Sequence, residues 1–156
     1  MKTTTMTPEE VISTLNNLIE TCRDGQNGFQ TAAEGVASSS LKTAFTQYAA
    51  QRGQFVNELQ NQVSELGGTP ETEGSVAGSL HRGWINLKSA ITGKDEQNIL
   101  AECERGEDSA KKNYQEALEE DLPIDVRSLI NRQYQDIVHA HDTVRGWRDR
   151  TKAAKA

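Results

Sequence analysis

The sequence predicts an all-α four-helix bundle made of two helical hairpins and a long crossover. Three observations predict it. Apolar residues recur at spacings of three and four through nearly the whole chain, and no stretch alternates as a strand would. The composition is 35% hydrophobic but only 5% aromatic, which suits a core of Leu, Ile, Val and Ala between helices. The breaks at Ser38-Ser39-Ser40, Gly67-Gly68-Thr69-Pro70 and Leu122-Pro123 come in the order hairpin, crossover, hairpin. At 156 residues the chain is expected to form one domain, 1–156, with a core of ordinary size.

The first helix is expected over 8–37. Thr7 can cap it, Pro8 suits the first helical position, and Glu10 completes a capping box. Its stripe runs Val11, Leu15, Leu18, Cys22, Gly25, Phe29, Ala32/Ala33, Val36. Gly25 and Gly28 weaken it by about 1 kcal/mol each relative to Ala and so point to close helix approach or a kink. The second helix, 40–66, carries Leu41, Phe45, Tyr48, Arg52, Phe55, Leu59, Gln62/Val63 and Leu66, and stops at a glycine pair with a proline just beyond. The segment that follows is too long for a tight turn, but Val76, Leu80, Trp84, Leu87 and Ile91 form a further helical stripe. A short helix over 75–92 is therefore expected inside the crossover. The next helix, 95–120, carries Ile99/Leu100, Cys103, Glu107, Ala110, Tyr114 and Ala117/Leu118. The last, 124–150, carries Val126, Leu129/Ile130, Gln133, Ile137, Ala140, Val144 and Trp147. A hairpin, a long crossover and a second hairpin give the connectivity of ferritin-like bundles rather than of up-down-up-down ones.

Bulk properties narrow the partners. The net charge is −6 and the basic residues form no concentrated stripe, so neither nucleic acid nor an anionic membrane is an expected partner. The basic run Arg145, Arg148, Arg150, Lys152, Lys155 is the local exception; it is expected to complement a helix C-terminal dipole and fray into solvent. No segment approaches about 18 continuous apolar residues, the length a membrane span needs. The N-terminal MKTTTMTPEE has no apolar signal core, which makes the cytoplasm the expected compartment. Cys22 and Cys103 are too few for a disulfide scaffold, and both fall on apolar stripes, as buried thiols do.

The functional signal is polar. Arg52, Glu107 and Gln133 stand where the hydrophobic rhythm calls for core residues, each near the middle of its helix, and Gly25 and Gln26 mark that level on the first helix. A charge on a buried seam is costly unless paired. A central polar layer is therefore expected, formed by an ion pair and an amide that fix helix register. A polar bundle centre is also where such folds place metals and ligands.

Several stretches resemble a known group. They are Leu15 to Glu20 (LNNLIE), Arg52 to Leu59 (RGQFVNEL), Gly67 to Pro70 (GGTP), Gly78 to Trp84 (GSLHRGW), Cys103 to Asp108 (CERGED), Arg132-Gln133-Tyr134 and His139 to Asp142 (HAHD). In order, and over nearly the whole chain, they resemble an uncharacterised bacterial four-helix-bundle family within the ferritin-like superfamily. The resemblance implies a fold, and by superfamily analogy a stress-associated role; it implies no agreed activity. The best-known superfamily members hold two metals with a Glu from each of two helices and a Glu-x-x-His from each of the others.

This chain departs from that pattern. The last helix offers Asp136-x-x-His139, the preceding one Glu104 and Glu107, the second Glu58 with Asn61 where a His would stand, and the first Glu20 or Asp24. Glu104, Glu107, Asp136 and His139, with Glu20 or Glu58, thus form the candidate metal set, for iron or manganese. A central Arg52 guanidinium would repel such ions. His139 and His141 project about 200° apart on a helix, so at most one can face a metal. His81 and Arg82 flank the crossover stripe and are candidate contacts to an anion or a partner. There is no Gly-x-Ser-x-Gly elbow and no Gly-rich phosphate loop.

The expectation is a non-catalytic bundle without a cofactor, able to self-associate through an outer helix face. The alternatives are a metal-dependent oxidoreductase or metal-handling protein, and an interaction module with no partner identified.

Overall fold

Helix α1 (Pro8–Gly35) starts where the sequence places its cap. Thr7 Oγ1 accepts from the Glu10 amide at 3.2 Å, and Glu10 Oε1 accepts from the Thr7 amide at 2.8 Å. That geometry holds the Glu10 carboxyl below the usual carboxylate range. A short turn leads into α2 (Ser39–Glu65), whose cap Ser38 accepts from the Leu41 amide at 3.3 Å. Connections this short force α1 and α2 into an antiparallel hairpin. Helix α2 ends as Gly67 adopts a φ of 82°, the left-handed conformation that glycine takes without a Cβ clash.

The computed structural model describes residues 5–70, 84, 86–93 and 95–155, with the side chains of 152–155 excepted. The predicted stripe residues Val76 and Leu80, and the candidate contacts His81 and Arg82, lie outside the described residues. Within the described part of the crossover, α3 (Leu87–Thr92) is a short helix that packs against α1 and α4. Trp84, just before it, is buried, as are Leu87 and Ala90.

The second hairpin pairs α4 (Glu96–Leu118) with α5 (Ile124–Lys155). Asp95 caps α4 by accepting from the Gln97 and Asn98 amides at 3.0 and 3.4 Å. At the junction, Arg127 Nη1 donates to the Leu118 carbonyl at 2.8 Å and Nη2 to the Glu120 carbonyl, so α5 caps the end of α4. Helix α5 continues past 150, the expected end. The basic run does not simply fray: Arg148 donates to the buried Glu104, with the Arg145 Nε 3.9 Å from the same carboxylate. The sequence alone could not show that Glu104 turns inward toward this segment.

The described residues are all-α and pack as a helical bundle. Among them no helix is long and apolar enough to cross a membrane. The apolar core is divided in two. One part joins Val11, Leu15, Leu18, Leu59, Tyr114 and Ile137, among others; the second joins Phe29, Phe45, Trp84, Leu100 and Val144. Along α1 the division falls between Cys22 and Phe29, along α2 between Ala49 and Phe55, along α4 between Cys103 and Ala110, and along α5 between Ile137 and Val144. Whatever separates the halves must lie at Gly25, Arg52, Glu107 and Ala140.

Candidate functional site

Arg52 and Glu107 occupy that level, at 1% and 0% exposure. Their stripes carry them inward: Arg52 lies three residues before Phe55, and Glu107 lies three before Ala110. The pair is bidentate, with Arg52 Nη1 2.5 Å from Glu107 Oε1 and Nη2 2.6 Å from Oε2. Burial alone would draw the guanidinium pKa down, but the Glu107 carboxylate outweighs it and keeps Arg52 above its ordinary value. The guanidinium carbon also lies 5.5 Å from the centre of the Phe29 ring. Arg52 Nε is buried without a hydrogen-bond partner.

Helix α1 makes room for the pair. A Cβ at Gly25 would lie 3.2 Å from Arg52 Nη1, so the glycine permits close approach without a break in the helix. Gln26 sits beside this level, with its Nε2 against the open side of Gly53.

Gln133 is buried as expected but belongs to a different layer. Its Oε1 accepts from the Tyr114 hydroxyl at 2.7 Å, and its Nε2 donates to Glu58 Oε1 at 3.1 Å and to the Phe55 carbonyl at 3.4 Å. At the level of the ion pair α5 contributes Ala140 instead, two helical turns farther along. Ala140 stands on the expected stripe of this helix, but an alanine there carries no signal that marks it as the residue of the ion-pair level.

The second layer is a directed chain. Tyr114 gives its single proton to Gln133, so the Cys22 thiol, 3.0 Å away, donates to the Tyr114 oxygen. At the far end Glu58 Oε2 accepts from Arg132 Nη2 at 2.7 Å near the surface. Burial pushes the Tyr114 phenol well above its ordinary range and the Cys22 thiol up to about 11. Burial also raises the Cys103 thiol well above its ordinary value, and both cysteines are free.

Two predictions arise here. Tyr114→Phe strands the Gln133 oxygen and the Cys22 thiol, and is expected to cost about 1–3 kcal/mol in urea denaturation. The raised Cys22 pKa favours the protonated fold. Its contribution is whole below 9.0, where the unfolded thiol begins to ionise, and is lost as pH rises through about 11. Stability measured from pH 8 to 11 should therefore fall more steeply in the parent than in Cys22→Ala.

The candidate metal residues are not brought to one point. Glu107 spends both oxygens on Arg52, Glu104 is tied to Arg148, and Glu58 is tied to Arg132 and Gln133. Glu20 and Asp136 are half-buried, and His139 is exposed. Among the described residues, no group of three or more His, Cys, Asp or Glu side chains is placed to hold a metal. Glu107 faces the Arg52 guanidinium, whose charge would oppose a cation at the same carboxylate.

The imidazole that turns inward is His141, 4% exposed. Its Nε2 lies 2.7 Å from Asp108 Oδ1 and its Nδ1 3.0 Å from Asp142 Oδ1, which holds the Asp142 carboxyl below its ordinary value. Sequence reasoning singled out His139 because it completes Asp-x-x-His. The available signal was register: His141 lies four residues after Ile137 and three before Val144.

Residues 10–120 match the family described as Domain of unknown function (DUF2383). No curated protein matches the chain.

Proposed function

We propose that this chain, which belongs to the DUF2383 family of domains of unknown function, is a non-catalytic bundle of ferritin-like type whose centre is held by an ion pair in place of a metal. The observation that carries this reading is the bidentate Arg52–Glu107 pair, fully buried between two apolar half-cores. The two hairpins joined by a long connection support the ferritin-like assignment. A pair of this kind specifies which helices meet and in what register, since any slip buries an uncompensated charge. A stress-associated role, a bacterial source and a cytoplasmic location are consistent with this reading and extend it.

An interaction role finds less support in the surface. Among the described residues the exposed large hydrophobic side chain is Ile124, one residue rather than a patch. Across the described surface, self-association would use polar outer faces.

The test is metal analysis of protein purified without a histidine tag and offered ferrous iron, manganese and zinc separately. The proposal expects no stoichiometric uptake, and unchanged stability when a chelator is added. Near-stoichiometric metal that is lost in both Glu107→Ala and His139→Ala would overturn it.

A further inference from the structure

Trp84 and α3 cover part of the second half-core, and the helices beneath are cut to receive them. A Cβ at Gly28 on α1 or at Gly106 on α4 would overlap the Trp84 indole, and one at Gly35 would lie 2.6 Å from Ile91 Cγ1. Gly28 and Gly35 are seven residues apart, so they stand two turns apart along one face of α1. Glycine weakens a helix, yet at these three positions the missing side chains form notches that Trp84 and Ile91 fill.

The seated piece is slight. Helix α3 is six residues long, and no side chain caps its first turn. A helix this short does not hold its shape alone in water. Its backbone bonds stay within the segment: the Leu87 amide donates to the Trp84 carbonyl at 3.2 Å, the Ala90 amide to Asn86 at 3.1 Å and the Gly93 amide to Ser89 at 3.1 Å. Apolar contact seats it, through Trp84, Leu87, Ala90 and Ile91. Asn86, Lys88, Ser89 and Thr92 are exposed.

The four long helices are joined without this piece. Arg52 on α2 holds Glu107 on α4, Cys22 on α1 meets Tyr114 on α4, and Glu58 on α2 accepts from Arg132 and Gln133 on α5. Unseating Trp84 and α3 breaks none of these bonds and bares much less apolar surface than global unfolding does. A notch admits its ring or methyl group in one position, which leaves two discrete states, seated and out.

We propose that Trp84 and α3 form a latched lid, which opens as a unit over the second half-core while the four long helices stay folded. Cys103 reports on the lid. It is buried in that half-core and lies three residues before Gly106 on the same face of α4. Cys22 belongs to the other half-core and serves as the control.

The experiment is alkylation of the folded full chain with iodoacetamide, each thiol followed by peptide mass spectrometry. Cys103 is expected to react about tenfold or more faster than Cys22, at a rate that low urea changes little, because lid opening exposes little surface. Cys22 should wait for global unfolding, so its rate should climb steeply with urea. Ile91→Ala loosens the latch and should speed Cys103 by about fivefold while leaving Cys22 unchanged. Equal rates at the two thiols, with the same dependence on urea, would overturn the proposal. So would a Cys103 rate that folded Ile91→Ala leaves unchanged. The comparison of the two thiols in the parent chain decides the matter even if the variant does not fold.

Discussion

Glu107→Ala is expected to destabilise the fold by about 3–5 kcal/mol, measured by urea denaturation followed by far-UV circular dichroism. The reason is the charge it leaves behind. Arg52 is 1% exposed, both of its Nη groups are committed to Glu107, and its Nε has no other partner. Without the carboxylate the guanidinium must either stay buried and unpaired or push outward through the seam between α1 and α2. Total stabilities are about 5–15 kcal/mol, so this single change consumes a large fraction of what holds the chain together. Arg52→Ala should behave similarly, because it leaves the Glu107 carboxylate buried alone.

The second large effect is expected at Gly106. A Cβ there would lie 2.0 Å from Trp84 Cε2, and one at Gly28 would lie 2.4 Å from Trp84 Cδ2. The indole is therefore clasped between α1 and α4 at two glycines, and it meets the Phe29 ring edge-on at 5.1 Å between centroids. A rigid ring so held has no way to yield by a rotamer change. Gly106→Ala gains about 1 kcal/mol of helix propensity but should lose about 2–4 kcal/mol net, between the cost of overpacking and that of losing a buried tryptophan. Tryptophan emission should shift to the red, read in a Trp147→Phe background so that Trp84 alone reports. Unchanged emission with raised stability would show that the clasp is loose.

Both effects were only half legible in the sequence. Arg52 and Glu107 stood out because a charge interrupts an apolar stripe of period three to four, and their pairing followed from the cost of leaving either one alone. Thr7 and Glu10, Ser38, and the Gly67-Gly68-Thr69-Pro70 stop were legible because their effects are local to the backbone beside them. Gly25 was placed at the correct level, whereas the part Gly28 plays depends on an indole that only the crossover brings to it. Gly106 passed unremarked, although it sits midway between Cys103 and Ala110 on the buried stripe of α4.

What the sequence could not convey was how levels align between helices. Gln133 is inward-facing on α5, but helix periodicity fixes a face and not an axial offset. It pairs with Tyr114 while Ala140 meets the ion-pair level. The same limit hid the inward turn of Glu102 and Glu104 on α4. Glu102, Glu104 and Glu107 are all buried, and of this acidic run only Asp108 is exposed. Glu107 takes its partner Arg52 from α2 and Glu104 takes Arg148 from α5, whereas Glu102 pairs with Arg105 on its own helix. Glu102 Oε2 is the oxygen of this group left without one.

The measurement that bears most directly on the central account is a double-mutant cycle on the pair, with Arg52→Met, Glu107→Leu and the two combined. If the pair is a structural register device, each single change costs several kcal/mol. The double variant should then be more stable than either single one, because two apolar side chains of similar volume fill the layer without a stranded charge. Costs that simply add, with the double variant the least stable of the three, would contradict the account: the two charges would then act independently, and the centre of this bundle would have to be explained by something other than their pairing.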